Sequence, residues 1–457
     1  MKKNIDMING SLYGGILRYT IPIILTSVLQ LLFNAADLVI VGRYCGSISV
    51  GAVSATGAIT NLIITLFIGL SVGAGVTVAH GLGGHQDDEV HKTVHAAIPT
   101  ALTGGAVLTI VGIIFAEDFL VLMKTPENVL PLSAIYMRIY FGGMVFTMVF
   151  NFCASILRAA GDSQSPLKHL TIAGVINVIL NWTFVTRLGM NVDGVALATV
   201  ISQAYSAIML VITLSRRTDA CKLYLRKMRF HGKQLVKMIR LGIPAGIHSA
   251  LFSASNVIIQ SSINSFNSDA VIAGSGASSN IESFVFVIMD GFYHSAMNYI
   301  GQNSGAHRFD RIKKIYGICL GYVTLFGMVT GFLIWFFGEP LLSIYITDSP
   351  EAIAQGIIKL SCVAIPYFLC GMLNVTTGAL RGLGSSVVPM VTSVIGVCGF
   401  RIIWIYTIFQ IPKYHTLVSL YLSYPITWLI TFIVELIAFM YLYKKKSNAE
   451  KLQTYQT

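Results

Sequence analysis

Charge is scarce in this sequence. Lys, Arg, Asp and Glu together make up 11% of the 457 residues, whereas soluble globular proteins carry about 25%. Hydrophobic residues make up 54%, and the mean hydropathy is +0.72. This composition leaves no stretch for an enzyme-sized soluble domain, so it predicts a polytopic membrane protein.

The apolar blocks lack the alternation of polarity that membrane β-strands show. Each block is about as long as a spanning helix, roughly 20 residues or more, and none consists of alternating ten-residue segments. Helices are then the structure that can cross the bilayer. We predict an all-α polytopic membrane protein with twelve transmembrane helices. The predicted spans lie at about residues 15–43, 48–80, 93–117, 130–156, 165–188, 193–215, 238–264, 270–303, 315–338, 352–379, 388–411 and 416–443.

Motifs of catalysis and metal binding are lacking too. The seven cysteines form no CxxC pair, which argues against a disulfide framework and against a zinc site. The sequence contains no HExxH. We therefore predict that the protein is not an enzyme and has neither a metal site nor a cofactor. The alternative from another class is a membrane-embedded transferase or hydrolase, which would need paired catalytic groups at one membrane surface.

Basic residues outnumber acidic ones by 31 to 20, which gives a net charge of +11. Many of them lie between or after the predicted spans, in residues 216–240, 308–314 and 444–446. Cytoplasmic loops of membrane proteins are enriched in Lys and Arg, so the excess does not indicate a nucleic-acid partner. It predicts a multi-pass protein of the inner (plasma) membrane with both termini in the cytoplasm.

The sequence contains an internal repeat. Arg18–Pro22 and Arg240–Pro244 both begin with Arg and end in Ile-Pro, 222 positions apart, and Pro166 and Pro389 match at a distance of 223. Each half holds six predicted spans, an even number, so both halves enter the membrane in the same direction. We predict two six-helix bundles, residues 1–225 and 226–457, related by a pseudo-two-fold axis along the membrane normal.

Each half has a proline inside its first predicted helix, Pro22 and Pro244. Proline removes a backbone donor and clashes with the preceding turn, so we predict that both helices bend or break there. A static kink is the alternative, because spanning helices contain Pro more often than soluble ones do.

A carboxylate lies inside the first predicted span. Gln30, Asn34 and Asp37 recur at helical spacing and share one face of that helix. A charged group at membrane depth costs at least a few kcal/mol unless it is paired or hydrated. We therefore interpret Asp37 as functional. The alternative is a carboxylate that polar neighbours lock in place to join helices.

Several short motifs accompany the repeat. They are the Ile-Pro pair near the start of each half and the segments Asp37–Arg43, Gly194–Thr199 and Gly301–Ala306. Together they resemble the multidrug and toxic compound extrusion (MATE) transporters over residues from about 17 to 443. The resemblance implies a secondary antiporter that exports drugs in exchange for protons or sodium. It also implies rocker-switch alternating access, with two lobes moving around a cavity shaped like an inverted V.

Within that family the chain resembles the bacterial DinF-like members more than the NorM-like ones. The DinF-like resemblance implies an amino-terminal ion site, and the matching positions are Asp37, Asn177, Asn181 and Thr199. Such relatives often have Asn-x-x-x-Asp in the fifth helix, where this chain ends the motif with Asn181. The acids of NorM-like seventh and tenth helices are not found here, since the seventh predicted helix offers amides such as Asn256 and Gln260.

The single carboxylate favours a proton as the coupling ion. Burial in a low dielectric favours the neutral form of a carboxyl group, so Asp37 could take up a proton and release it again. Sodium would need several oxygen ligands, which Asp37, the two amides of the fifth helix, Thr199 and a main-chain carbonyl could approach. We predict H⁺, with Na⁺ as the alternative.

Polar residues of several predicted spans are candidates for a substrate cavity. The predicted set is Gln30, Asn34, Asn151, Asn256, Gln260, Glu282, Asp290, His294 and Asn298. Glu282 or Asp290 could attract a cationic substrate, and the alternative is a satisfied packing network. Arg401 and Glu435 are single charges in the last two predicted spans, and we expect them to pair with each other.

We predict a drug-efflux antiporter that works as a monomer in the lipid bilayer on small cationic or amphiphilic molecules. The alternative is a flippase for lipid-linked oligosaccharides, which the same superfamily contains. Flippases of that kind usually have several arginines in the central cavity, whereas here Arg401 alone is expected at membrane depth.

Overall fold

Every regular element in the part of the chain that this computed structural model describes, residues 4–347 and 349–454, is a helix. The first half contains α1 Leu12–Tyr44, α2 Ser47–Gly83, α3 Asp87–Ile114, α4 Ala116–Leu122, α5 Leu130–Gly142, α6 Met144–Ala159, α7 Gln164–Thr186 and α8 Val192–Ser215.

The second half follows a 3₁₀ turn at Leu225–Lys227. It contains α9 Gly232–Asn264, α10 Asp269–Gly305, α11 Phe309–Phe336, α12 Gly338–Ser343, α13 Pro350–Val363, α14 Tyr367–Gly382, α15 Val387–Ser393, a π-helical segment Val394–Gly399, α16 Phe400–Tyr406, 3₁₀ turns at Ile408–Gln410 and Pro412–Tyr414, and α17 Leu417–Thr454.

Among the described residues, ten helices or continuous helical runs are long and apolar enough to cross a membrane. Two further pairs, α5 with α6 and α13 with α14, pass the same test together but are bent by 47° and 50°. With each bent pair counted as one span there are twelve, which confirms the predicted number. The bends interrupt two spans that we predicted as continuous. One lies at Gly143, between two helices, and the other precedes α14 at Pro366, which has no backbone N–H.

The chain divides into two compact units. Unit 1 comprises Met1–Asp6 and Ile21–Gly246, and unit 2 comprises Met7–Thr20 and Ile247–Thr457. Helix α1 is therefore divided between the units after Thr20, and α9 is divided after Gly246. The predicted lobes, residues 1–225 and 226–457, differ from these units at the beginnings of α1 and α9. Residues 1–3 and 455–457 of the predicted lobes lie outside the described part.

Both divided helices run without a break through the proline of their half. Pro22 lies inside α1 and Pro244 inside α9, each within three residues of the point where the helix passes from one unit to the other. Thr26 donates a hydrogen bond of 2.7 Å to the carbonyl oxygen of Pro22. The predicted break is absent, and the predicted bend stays a prediction.

Helix α2 and the first part of α9 approach each other within unit 1 through glycines. A Cβ atom at Gly69 would lie 2.2 Å from the backbone nitrogen of Gly246, and one at Gly246 would lie 2.1 Å from the carbonyl oxygen of Leu66. One turn away, a Cβ atom at Gly73 would lie 2.1 Å from the carbonyl oxygen of Met238. Such small residues, spaced four apart, let the backbones of membrane helices come into direct contact.

The internal repeat also appears in the backbone. Gly161 and Gly384, which are 223 positions apart, both have a left-handed conformation, with φ of 81° and 85°. His85 and His307, 222 positions apart, share the same conformation with φ of 52° and 56°. Positive φ is uncommon for a non-glycine residue, so the matched histidines show that each half ends its second long helix in the same way.

Candidate functional site

The four residues predicted for the ion site lie together in unit 1. Helix α1 supplies Asp37, α7 supplies Asn177 and Asn181 from successive turns, and α8 supplies Thr199. Asp37 is 7% exposed and Asn181 is fully buried. Valines of α1, α7 and α8 form a small apolar cluster within the same three helices.

Hydrogen bonds link these four side chains into one network. Asn181 donates from Nδ2 to Oδ1 of Asp37, and Thr199 donates from Oγ1 to Oδ2 of Asp37 at 3.4 Å. Asn177 donates from Nδ2 to the hydroxyl of Thr199 at 3.3 Å, and its Oδ1 accepts from Nδ2 of Asn181 at 3.2 Å. Asp37 has no basic side chain within ion-pair distance in the described part of the chain. Its charge is therefore countered by neutral donors alone.

One acceptor in the network has no partner. The Oδ1 atom of Asn181 is buried and receives no hydrogen bond. The oxygen and nitrogen of an amide exchange places when the group rotates by 180°. Asn181 can therefore donate to an ionised Asp37 in one orientation and accept a hydrogen bond from a protonated Asp37 in the other.

Two tyrosines of α5 stand near the same carboxylate, and sequence reasoning missed them. Tyr136 and Tyr140 interact electrostatically with Asp37, and their rings stack with centroids 6.0 Å apart. The spacing of four residues was visible in the sequence, but nothing there connected the fourth predicted span with the first. Tyr136 also packs against the valine cluster of α1, α7 and α8.

The other predicted residues of unit 1 lie apart from this network. Gln30 and Asn34 are exposed on α1, on the face that also carries Asp37. Asn151 is half-buried and donates from Nδ2 to the carbonyl oxygen of Thr147 at 2.8 Å. Gln30 and Asn34 are thus available to a ligand, whereas the amide of Asn151 is engaged by its own helix.

In unit 2, Glu282 is buried and paired with a lysine. Its Oε2 atom lies 3.5 Å from Nζ of Lys359 on α13. Lys359 also donates to the carbonyl oxygen of Ser275 at 3.2 Å and to the hydroxyl of Ser279. Sequence reasoning missed Lys359 as a partner because it lies near the outer end of its predicted span. The pairing favours the alternative of a packing network for Glu282.

The polar stripe of α10 continues toward the end of that helix. Asp290 and His294 are half-buried, with Oδ2 and Nε2 3.6 Å apart. Asn298 is buried and donates to the hydroxyl of Tyr19 at 3.0 Å and to the carbonyl oxygen of His294 at 2.9 Å. Asp290 and His294 thus keep some access to a ligand, and Asn298 serves packing inside unit 2.

Helix α9 carries the two amides predicted for the cavity. Asn256 is exposed and accepts a hydrogen bond of 3.0 Å from Nη1 of Arg401. Gln260 is half-buried and donates to Asn264 at 3.0 Å. Of the two, Asn256 is therefore the one next to a charged group.

The expected pairing of Arg401 with Glu435 is wrong. Glu435 accepts hydrogen bonds from Thr377 at 2.8 Å and from Thr392 and Ser393 at 3.0 Å each. These hydroxyls neighbour the carboxylate from α14 and α15, so it has neutral partners on both oxygens and does not contact Arg401.

A cavity of about 510 Å³ lies at the other end of unit 1, where α3 begins and the chain leaves α8. Its charged lining residues are Asp87, Asp88, Asp219, Lys222 and Lys227. Burial disfavours the charge of Asp219, but hydrogen bonds from Arg217 outweigh burial and lower the pKa of Asp219 below its usual range. The lining carries both signs of charge and contains none of the predicted site residues.

The sequence profile of the MatE family matches residues 22–183 and 244–407, which together cover more than half of the chain. The chain belongs to the MatE family. The two matched segments begin 222 positions apart, which is the distance of the internal repeat. Membership of this transporter family confirms the resemblance and the prediction that the chain is not an enzyme.

Known proteins similar to this MatE chain cover nearly all of it. A probable multidrug resistance protein of Bacillus subtilis, YoeA, is 28% identical over 447 residues, 95% of each chain. An FAD transporter of Shewanella oneidensis is 25% identical over 410 residues, 87% of this chain and 88% of that protein. A solved multidrug resistance MATE transporter in an outward-facing conformation superposes with a TM-score of 0.88 over 99% of each chain, at 19% identity. The last comparison shows the fold.

Proposed function

We propose that this MatE protein is a drug-efflux antiporter that exports organic cations and related amphiphilic drugs in exchange for protons. Asp37 carries the coupling proton. The observation behind this proposal is that Asp37 is a buried carboxylate which accepts from neutral donors and which no basic residue in the described ranges neutralises. Names of relatives that point to multidrug resistance support the substrate class.

The hydrogen-bond network supplies two states for Asp37. When the carboxylate is ionised, it accepts from Asn181 and Thr199. When it is protonated, one oxygen becomes a donor, and the unpartnered Oδ1 of Asn181 can accept from it after the amide rotates. The change removes a charge from between α1, α7 and α8 and reverses one hydrogen bond. Protonation can therefore bias how these helices pack.

Proton coupling is favoured over sodium coupling because the network contains a single carboxylate. A sodium ion would displace the hydrogen bonds of Asp37 and gather oxygens from Asn177, Asn181 and Thr199. Two of these contacts are now made by amide NH₂ groups, so both amides would have to turn. A proton binds to Asp37 itself and needs no set of oxygen ligands.

The remaining features of the proposal follow from the sequence. The site residues resemble the DinF-like pattern of the amino-terminal half except at Asn181, and the basic loops support a cytoplasmic location of both termini in a bacterial cell. The protein would act as a monomer by rocker-switch alternating access, with the half-buried Asp290 as the carboxylate that attracts a cationic substrate.

The test uses purified protein in proteoliposomes, with ethidium as substrate and either a pH gradient or a sodium gradient imposed alone. We expect ethidium transport under the pH gradient, and Asp37→Asn should abolish it because the amide cannot take up the coupling proton. Asp118→Asn, which changes an exposed carboxylate of α4, should transport at the wild-type rate. Undiminished transport by Asp37→Asn, or transport under the sodium gradient alone, would contradict proton coupling through Asp37.

A further inference from the structure

Arg401 is a buried cation whose binding edge is unused. The side chain is 1% exposed and lies on α16 of unit 2. Its Nη1 atom donates to Ser255 at 3.3 Å and to Asn256 at 3.0 Å. Its Nε and Nη2 atoms are buried without any hydrogen-bond partner, and the described residues provide no carboxylate for it.

The two unused nitrogens form one edge of the guanidinium group. The Nε–H and one Nη2–H bond point in parallel, and this fork matches the two oxygens of a carboxylate or phosphate. The partners of Nη1 hold the opposite side of the group. In addition, the Tyr424 ring lies against its face, 4.3 Å from the guanidinium carbon to the ring centroid. Arg401 is thus fixed in direction, with its bidentate edge left free.

A buried, unpaired charge is expensive, and so are buried donors without acceptors. The stacked ring of Tyr424 and the more distant ring of Phe252, at 5.7 Å, offset part of this cost because aromatic faces attract cations. They leave the two N–H donors unsatisfied. An anion at the free edge would satisfy both donors and neutralise the charge.

In the internal repeat, the position of Arg401 corresponds to a residue of the ion site in unit 1. Asn34 matches Asn256 at 222 positions, and Pro166 matches Pro389 at 223. The π-helical segment Val394–Gly399 then adds one residue to the helix, since a π-turn closes after five residues instead of four. Beyond it, the match of Asn177 is Arg401.

The same three helices of each half therefore build a polar cluster, but with opposite charge. In unit 1, α1, α7 and α8 surround the carboxylate of Asp37. In unit 2, α9, α16 and α17 surround the guanidinium of Arg401. Because Asn256 is exposed, one member of the second cluster lies at the surface of unit 2.

We propose that Arg401, oriented by Ser255, Asn256 and Tyr424, is a binding site for the anionic group of the transported molecule, a carboxylate or a phosphate. This inference rests on the proposed transport function and narrows the substrate class. The preferred substrates carry a negative group in addition to a cationic or aromatic body, so zwitterions bind better than pure cations.

The test compares two probes that differ in one charge, a zwitterionic rhodamine with a free carboxylate and its methyl ester. Their binding to the detergent-solubilised full chain is measured by fluorescence polarisation without any ion gradient. We expect the wild type to bind the zwitterion more tightly. Arg401→Gln should weaken its binding by about 10- to 100-fold, as expected for charge-assisted hydrogen bonds, and leave the ester within about twofold. Arg138→Gln, an exposed arginine of unit 1, should leave both unchanged.

A second variant, Asn256→Asp, tests the proposal if Arg401→Gln does not fold. Asn256→Asp places a carboxylate beside the guanidinium, so it should compete with the zwitterion and spare the ester. Equal binding of the two probes to the wild type, or equal loss of both in the variants, would overturn the proposal.

A lipid phosphate is the other source of the same chemistry. If phosphatidylglycerol stabilises the wild type but not Arg401→Gln, and the rhodamines show no difference, the site binds lipid and the assignment to substrate is wrong. Failure of proton coupling would appear only in the gradient experiments with Asp37→Asn. The two proposals can therefore fail separately.

Discussion

At the scale of single residues, Asn181 decides what Asp37 can bind. The amide donates to the carboxylate and leaves its own oxygen without a partner. A second carboxylate at this position would add negative charge and oxygen ligands to the same buried network. The identity of residue 181 should therefore set the balance between proton and sodium.

We predict that Asn181→Asp creates a sodium site. Two carboxylates, together with Asn177 and Thr199, would provide enough oxygens and charge for the ion. Sodium at ten times its dissociation constant would then stabilise the protein by about 1.4 kcal/mol. Thermal unfolding in detergent, with sodium compared against potassium, measures this effect.

The matched control is Asn151→Asp, which introduces a carboxylate on α6 outside the network. It should show no difference between the two salts. A sodium response of Asn181→Asp no larger than that of the wild type would argue against this account of the site.

The sequence identified residues of the site better than it identified their contacts. Asp37 was visible because a carboxylate inside an apolar run is costly, and the repeat showed that its match, Ile259, is apolar. The family resemblance supplied the partners on α7 and α8. Tyr136 and Lys359 were missed, since their partners are 99 and 77 positions away. The Arg401–Glu435 pairing was wrong because hydroxyls and rings nearer to each charge replaced the opposite charge.

At the scale of helices, glycines determine how closely α2 and α9 can pack. Both helices carry glycine pairs four positions apart, Gly69 with Gly73 and Gly242 with Gly246, and their backbones are in contact. Hydropathy located these helices correctly but does not reveal which faces meet. The bends at Gly143 and Pro366 were missed for a related reason: the hydropathy of an apolar run is the same whether its helix is straight or bent.

We predict that Gly69→Ala destabilises unit 1. The added methyl group would lie 2.2 Å from a backbone nitrogen, which cannot move without shifting α9. Overpacking of this kind costs about 1–3 kcal/mol, and the midpoint of thermal unfolding should fall accordingly. Gly57→Ala, on the same helix with open space around it, serves as the control. If both variants unfold at the same temperature, the close approach contributes nothing to stability.

At the scale of the whole molecule, each unit contains a segment from the other half of the sequence. Unit 1 needs the first part of α9, up to Gly246, and unit 2 needs Met7–Thr20. Neither half of the sequence can therefore complete its unit alone. The sequence repeats by halves, whereas the two compact units exchange the beginnings of α1 and α9.

This exchange predicts the behaviour of divided chains. Residues 1–225 expressed alone lack the α9 segment that packs on α2, so we expect them to be degraded or to aggregate. Co-expression with residues 226–457 should restore both units, which copurification through a tag on one fragment would show. Division after residue 246, inside α9, should fail because it cuts a continuous helix. A stable, monodisperse 1–225 fragment would disprove the exchange as a requirement for folding.

The π-helical turn at Val394–Gly399 also determines which residues of the two halves correspond. When the halves are compared at a constant distance of 223 positions, Arg401 pairs with Val178 and has no polar match in the first half. The wider turn explains the offset: it holds one residue more than the matching part of α7, and the helix accommodates that residue. The downstream side chains therefore keep the direction of their matches in α7, and one matched position carries an amide, Asn177, in the first half and a cation, Arg401, in the second.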